Sequence, residues 1–434
     1  MRQNYHVQDR IALAGCLRQI FDAVFWKRWH QQGPDQPRRW CGANLSYVWI
    51  ALALSARPGL VERFEEARAW TAQVFAKRKR PGTSYQGFVD ASLLHGRELL
   101  ETLRQRLQVV LQRHSAATLA WPLFAVDGSR VRVPHTLANE AAFGLTRIKN
   151  RADSAPQLLV VAAVEMSRKV MWDWEVEDGN ASEPELAARI LRRLPAGALI
   201  VKDAGAVSHA WLAELLRGRR HILMRVAGNF RLWAAQVGAT LERGGEVWLH
   251  DREQRAAPLR LRLIAVHSRA ARPVYLLTDL PRTQVSDSLA GELYRQRWGA
   301  SEIGFRSFKQ TLSRTVLLAR SPEMAVLECH YSLLGMQLLG ALHAETGGGP
   351  RWSLARTWRV WRTALTTALS GPQLRMLVAA CVLDGYKRRN PKSRRRAPHK
   401  KPWRQLGPPN LRRLTVAVRQ RWTMNFPALK LLGF

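Results

Sequence analysis

Cysteine is scarce in this chain of 434 residues. Cys16, Cys41, Cys329 and Cys381 stand far apart, and no C-x-x-C pair occurs. That excludes a zinc ribbon and a disulfide scaffold, and it fits a reducing compartment, so a cytoplasmic location is expected. Acidic residues are scarce as well: 33 Asp plus Glu stand against 68 Lys plus Arg, a formal charge of +35. A folded chain this basic is not read first as a small-metabolite enzyme; it is expected beside a polyanion, DNA or RNA. Lysine is itself the minor cation, 12 of the 68, and the arginine excess suits bidentate contact with phosphate and guanine. Residues 1–10 lack the apolar core of a signal peptide. No GxxxxGK[ST] loop and no internal repeat occur, so nucleotide hydrolysis has no support. The best candidate for a membrane span, residues 326–344, carries Glu328, His330 and Gln337. A buried helix is expected there, and no membrane partner.

What is present is a large apolar fraction, 47%, enough for a sizeable core in two to four structural units. Apolar spacings of three and four predict helices over 11–29, 45–75 and 88–113. The pattern then changes. Residues 123–126 form a short apolar strand ending in Asp127-Gly128-Ser129, and 130–133 alternate as a second strand. Strands at 158–164 and 169–176 precede a helix at 183–194. A buried strand at 199–201 ends in Lys202-Asp203, a helix follows to 217, and 221–226 is another strand. This order, three strands and then alternating helices and strands, is that of ribonuclease-H-like cores. Strand patterns at 246–249, 259–266 and 273–278 suggest an inserted β-rich unit. Residues 289–312 read as a helix interrupted at Gly299, and 326–343, 354–369 and 372–383 as further helices. Residues 387–404 hold ten cations, three prolines and no carboxylate. Such a stretch cannot pack a core and is expected to be mobile without a partner.

In so basic a chain the acids are informative. Asp127 and Asp203 each close an apolar strand, with glycine within two residues. Either alone reads as a turn cap. Together, in this strand order, they point into the crevice where α/β sheets bind ligands and favour a metal site. Glu302 is the third acid, on a helix rich in aromatics and cations, where a ribonuclease-H-like core needs its last carboxylate. A solvated helix face is the alternative for it.

The stretch Tyr294, Arg297, Glu302 and Lys309 resembles the Tyr-x2-Arg-x3-Glu-x6-Lys signature of bacterial DDE transposases of the insertion-sequence-four group. Val126-Asp127-Gly128-Ser129, Pro134-His135-Thr136 with Asn139 and Phe143-Gly144, Lys202-Asp203-Ala204-Gly205, Tyr275-Leu276-Leu277-Thr278-Asp279-Leu280 and Thr83-Ser84-Tyr85-Gln86-Gly87-Phe88 also resemble segments of that group. The resemblance covers about residues 80–345. His135 stands where the group often has Asp, and four residues, not three, separate Arg297 from Glu302.

The resemblance implies an α/β fold: a ribonuclease-H-like, retroviral-integrase-like catalytic core with a β-rich insertion, flanked by helical N-terminal and C-terminal regions. The implied divisions are a helical DNA-binding region at 1–118, the first part of the core at 119–230 and the insertion at 231–284. The second part of the core follows at 285–345 and a helical C-terminal region with the basic tail at 346–434. It implies Mg²⁺-dependent cleavage of double-stranded DNA at transposon terminal inverted repeats and joining of the 3′-hydroxyl to target DNA. Two Mg²⁺ ions, or Mn²⁺, would be held by Asp127, Asp203 and Glu302. Tyr294, Arg297 and Lys309 would hold the transposon end, with Trp298 beside them or in the core. Lys387, Arg388, Arg389, Arg394, Arg395 and Arg396 of the tail would add phosphate contacts. A homodimer is expected in the synaptic complex, and the nucleoid as the place of action. Two other readings remain, a ribonuclease-H-like nuclease without strand transfer and a catalytically inactive DNA-binding descendant. The extra residue before Glu302 turns it by about 100° on a regular helix, so helical hydrogen bonding is expected to be interrupted between Arg297 and Glu302, with Glu302 near both aspartates.

Overall fold

The computed structural model describes residues 12–32, 39–75, 79–114, 120–145, 155–203, 205, 207–234, 240–251, 253, 255–268, 271–367, 369–383 and 407–432. The fold is mixed α/β with a large sheet. The chain divides into two compact units. The first comprises Met1–Ala116, Gly128–Ser182 and Ser301–Gly385; the second comprises Ala117–Asp127, Glu183–Ala300 and Tyr386–Phe434.

The first unit begins with the helices Ala12–Ile20, Ala23–Gln32, Gly42–Leu54, Leu60–Val74 and Tyr85–Arg113. Two of the long helices expected from periodicity are each divided, for local reasons. The Asp22 carboxylate accepts the Phe25 N–H at 2.8 Å and starts a new helix there. Pro58 disfavours helical geometry at Arg57 before it and ends the run that 45–75 suggested. Tyr85–Arg113 has no such interruption. Ser84 caps it through the Gly87 N–H, and Phe88, Ala91, His95, Leu99, Leu103, Leu107 and Val110 line its buried face at spacings of three and four.

That helix packs on Pro322–Glu345, whose apolar segment is buried in the protein as the sequence suggested. Tyr331 donates its hydroxyl proton to the Gly96 carbonyl at 3.0 Å, and its ring stacks on Trp49 at 4.6 Å. A Cβ at Gly340 would lie 2.7 Å from Val170, so only glycine allows that approach. Glu328 is fully buried yet well partnered: it faces Arg63 at 3.5 Å and accepts the N–H groups of Leu318 and Ala319 at 2.8 and 2.9 Å. Replacing Glu328 with Ala strands a buried guanidinium and two amides, and is expected to cost about 3–5 kcal/mol. A denaturant titration monitored by tryptophan fluorescence would read this as a large drop in midpoint. An unchanged midpoint would mean that the network contributes nothing.

The strand β1 (Leu123–Arg132) runs from one unit into the other. In the first unit it is followed in sheet order by β2 (Gln157–Glu165) and β3 (Val170–Asp178), an antiparallel pair. In the second unit come β4 (Leu199–Lys202), β5 (His221–Val226), β6 (Arg231–Ala234), β7 (Gly245–Leu249), β8 (Leu259–Ser268), β9 (Ala271–Thr278) and β10 (Asn410–Arg413). Their order with β1 is β10-β6-β7-β8-β9-β5-β4-β1, and β1, β4 and β5 are parallel. The helices Glu183–Arg193 and His209–Arg217 flank β4 in sequence. Asp279 fastens β9 to β5 by accepting the Ile222 N–H at 2.8 Å and pairing with His221 at 2.7 Å. β10 pairs in parallel with β6, and behind it Trp422 sits against Trp233 and Trp248.

One local expectation is corrected. Residues 123–126 and 130–133 are not two strands parted by a turn at Asp127-Gly128-Ser129. β1 continues straight through them. What ends near Asp127 is the ladder with β4, whose last pair is Ala125 with Val201.

Candidate active site

Side chains alternate along a strand, and Asp127 and Asp203 each lie two residues beyond the paired Ala125 and Val201. At that register both carboxylates leave the same face of neighbouring parallel strands, just past the point where the strands stop exchanging hydrogen bonds. Their side chains are 37% and 47% exposed. The helix Asp287–Arg306 brings two of its residues to them. Arg297, nearly buried at 7% side-chain exposure, sets Nη1 3.6 Å from Asp127 Oδ2 and Nη2 3.4 Å from Asp203 Oδ2. Tyr294 donates its hydroxyl proton to Asp203 Oδ1 at 3.0 Å, and the Arg297 guanidinium lies over its ring at 5.3 Å. Burial, with the Asp203 charge adding to it, pushes the Tyr294 phenol up to about 12, so it stays a proton donor at neutral pH.

The expected interruption between Arg297 and Glu302 does not occur. The α-helix is continuous from Asp287 to Arg306, and a π turn follows at Ser307–Thr311. The extra residue is therefore absorbed after Glu302, not before it. On a regular helix Glu302 stands about 140° from Arg297, and Ser301 stands about 40° from it. Burial agrees: Ser301 is fully buried, whereas Glu302 is exposed and pairs with Arg306 at 3.6 Å, one turn on. Trp298, which shares the Glu302 face, is 53% exposed, so it is not a core residue. A π turn takes up one residue, about 100° of helix, so Lys309 returns to within roughly 20° of the Arg297 direction. There it donates to Ser129 Oγ on β1 at 2.8 Å, and burial holds its ammonium below the usual lysine value. Sequence reasoning passed over Ser129; its signal was its place two residues after Asp127.

Among the described residues no group of three or more His, Cys, Asp and Glu side chains is gathered closely enough to hold a metal ion. Asp127 and Asp203 are together in the second unit, and Glu302 belongs to the first. The tail residues Lys387, Arg388, Arg389, Arg394, Arg395 and Arg396 lie outside the described residues. Several other motif residues serve local structure. Thr136 caps the helix Leu137–Phe143 through the Asn139 N–H, and buried Asn139 donates to the Pro134 carbonyl at 3.0 Å.

The family model for the transposase DDE domain matches residues 122–336. Transposase InsG of insertion sequence element IS4 from Escherichia coli (strain K12) is 26% identical over 240 residues, half of this chain and 51% of that protein. This chain carries a transposase DDE domain, similar to that of insertion-sequence-four transposases. The match begins at Pro122, just before β1, and runs into the buried helix Pro322–Glu345, so it takes in both aspartates, Tyr294, Arg297, Glu302 and Lys309. The chain spans about half the length of the curated relative it matches. Two solved structures are more distantly similar. A piggyBac transposase synaptic complex with hairpin DNA is 13% identical, with 89% of this chain and 88% of that one covered, at a TM-score of 0.44. A Mos1 transposase paired-end complex with the left transposon end is 12% identical, with 49% and 76% covered, at 0.17.

DDE transposases use divalent metal ions in general. Two donors of the kind such an ion binds are together here, Asp127 and Asp203. The Asp127 and Asp203 carboxylates both reach the Arg297 guanidinium from neighbouring parallel strands, and carboxylate oxygens are what hard divalent ions bind.

Proposed function

We propose that this transposase cleaves double-stranded DNA at transposon ends and joins the freed 3′-hydroxyl to target DNA, using a ribonuclease-H-like core and two Mg²⁺ ions. The observation that carries the reading is the Asp127–Asp203 pair, set at matched register on parallel neighbouring strands and sharing one cation. The strand orders β3-β2-β1 in one unit and β1-β4-β5 in the other, with β1, β4 and β5 parallel, support the core assignment. Mg²⁺, or Mn²⁺ in its place, supplies activation of the attacking oxygen and neutralisation of the phosphodiester. Asp127 and Asp203 would hold the ions, with Glu302 proposed as the third carboxylate. Arg297 and Lys309 bind phosphates of the transposon end, Tyr294 orients Asp203, and exposed Trp298 packs against the end nucleotides. A homodimer pairs two ends in the synaptic complex, acting on the nucleoid in the cytoplasm.

Duplexes taken from the DNA flanking the gene test this. Incubation with Mg²⁺ is expected to give a 3′-hydroxyl at the repeat boundary and a joined product with target plasmid. One observation favours a second reading, the inactive DNA-binding descendant: Glu302 lies on the solvent side of an unbroken α-helix, away from the Arg297 face. Binding to those duplexes without nicking in either metal would establish that reading.

The charge of +35 also has a measurable consequence. Log affinity for DNA is expected to fall steeply with log salt, by about 0.9 for each phosphate neutralised. Deleting residues 387–404 is expected to flatten that slope by about 3 or more, because several of its ten cations then release no counterions. An unchanged slope would mean that the tail does not touch DNA.

A further inference from the structure

We infer that Arg297 is a displaceable counter-cation: in the DNA-free protein it occupies the charge position of the metal between Asp127 and Asp203, and a DNA phosphate draws it away. This rests on the metal-site reading above and goes beyond it, because it makes metal loading depend on DNA. A guanidinium and a divalent ion compete for the same carboxylate oxygens. Arg297 Nη1 and Nη2 each address a different aspartate, at 3.6 and 3.4 Å. These separations are longer than a charge-assisted hydrogen bond of about 2.7–2.9 Å. Arg297 thus compensates both carboxylates through long contacts, one to each.

The neighbourhood limits what Arg297 can do. Its side chain is nearly buried and lies over the Tyr294 ring, so its stem is held on the helix while its head faces the carboxylates. The carboxylates are far more exposed, at 37% and 47%, and reachable by solute ions. Tyr294 stays on Asp203 through its own hydrogen bond and orients that carboxylate whichever cation is present. An anion reaching the helix face beside Arg297 offers a partner of higher charge density. Guanidinium forms bidentate contacts with phosphate as readily as with carboxylate. Moving the head from carboxylate to phosphate takes the competing guanidinium off both carboxylates at the moment the substrate arrives. The free protein then binds divalent ions weakly and cuts little, and end binding and metal binding become mutually favourable, each raising the affinity for the other by the same factor.

The test is Mn²⁺ binding to the full chain, read from the free-ion EPR signal, with and without a transposon-end duplex. Without DNA, Arg297→Gln and Arg297→Met are expected to bind Mn²⁺ at least about tenfold more tightly than the wild type, about 1.4 kcal/mol. Arg297→Lys, which keeps the charge, should stay close to the wild type. The gain should vanish when Asp203→Asn is added. DNA should tighten Mn²⁺ binding to the wild type and have much less effect on the Gln variant. Thermal melting identifies which of the two neutral variants is folded and is to be compared. Equal Mn²⁺ affinity in the wild type and the folded neutral variant, with binding lost in Asp203→Asn, would overturn the inference and leave the metal site standing. Absence of Mn²⁺ binding in every protein, with or without DNA, would overturn both.

Discussion

Alanine at Asp127 or at Asp203 is expected to remove metal-dependent nicking, a loss of at least about 10³ in rate, while end DNA is still bound about as tightly. Each aspartate is half of the carboxylate pair proposed to bind metal, and no other acid among the described residues joins them in a metal-holding cluster. Binding should survive because each change removes a negative charge and leaves Arg297 and Lys309 in place. Single-turnover cleavage and fluorescence anisotropy, run on the same preparations, separate the two effects. Asp127→Asn and Asp203→Asn guard against a packing artefact, since they keep the shape and remove the charge. Full nicking by the Asp203→Ala protein would remove the assignment of this site. Loss of DNA binding together with nicking would instead indicate a structural role.

Deleting Gly299 is expected to raise metal-dependent nicking by about tenfold or more. With one residue fewer between Arg297 and the glutamate, the carboxylate moves from about 140° to about 40° from Arg297 along a regular helix. The π turn at Ser307–Thr311 then has no extra residue to absorb, and the helix can run on as α through Lys309 with its direction unchanged. Gly299 is only partly buried, and its removal takes out a poor helix former. A glutamate that already served the metals in its present position would lose that position on deletion, and activity would fall. That outcome would refute the geometry proposed for Glu302. Cleavage rates of the two proteins at saturating Mg²⁺ decide the sign.

Much of the core could be read from the sequence. The apolar runs of β2, β4 and β5 are short, β-branched and bounded by breakers, so their existence follows from pattern alone. The pairing of the two aspartates was legible only jointly, since either acid alone after a buried run reads as a turn cap and it is their common place after adjacent core strands that sets them apart. The path of β1 through Asp127-Gly128-Ser129 was not legible. A turn-forming triplet was overridden by strand pairing in both units, and that is set by residues far away in the chain. Neither was the place of the π turn. The spacing shows that one residue must be absorbed, but Gly299 attracts attention while the packing of Phe308 and the reach of Lys309 to Ser129 decide where. β10 carries Asn-Leu-Arg-Arg, which has no strand signature, and exists because β6 and the Trp422 cluster hold it.

Glu328 has a consequence earlier than folding. While the chain is being made, Pro322–Glu345 emerges as a segment long and apolar enough to be taken for a membrane anchor. A bare carboxylate, with Gln337 and His343 further along, opposes partitioning into lipid, the acid alone by up to about 3 kcal/mol. The residue that ties the finished core together would thus also raise the cost of placing this segment in lipid.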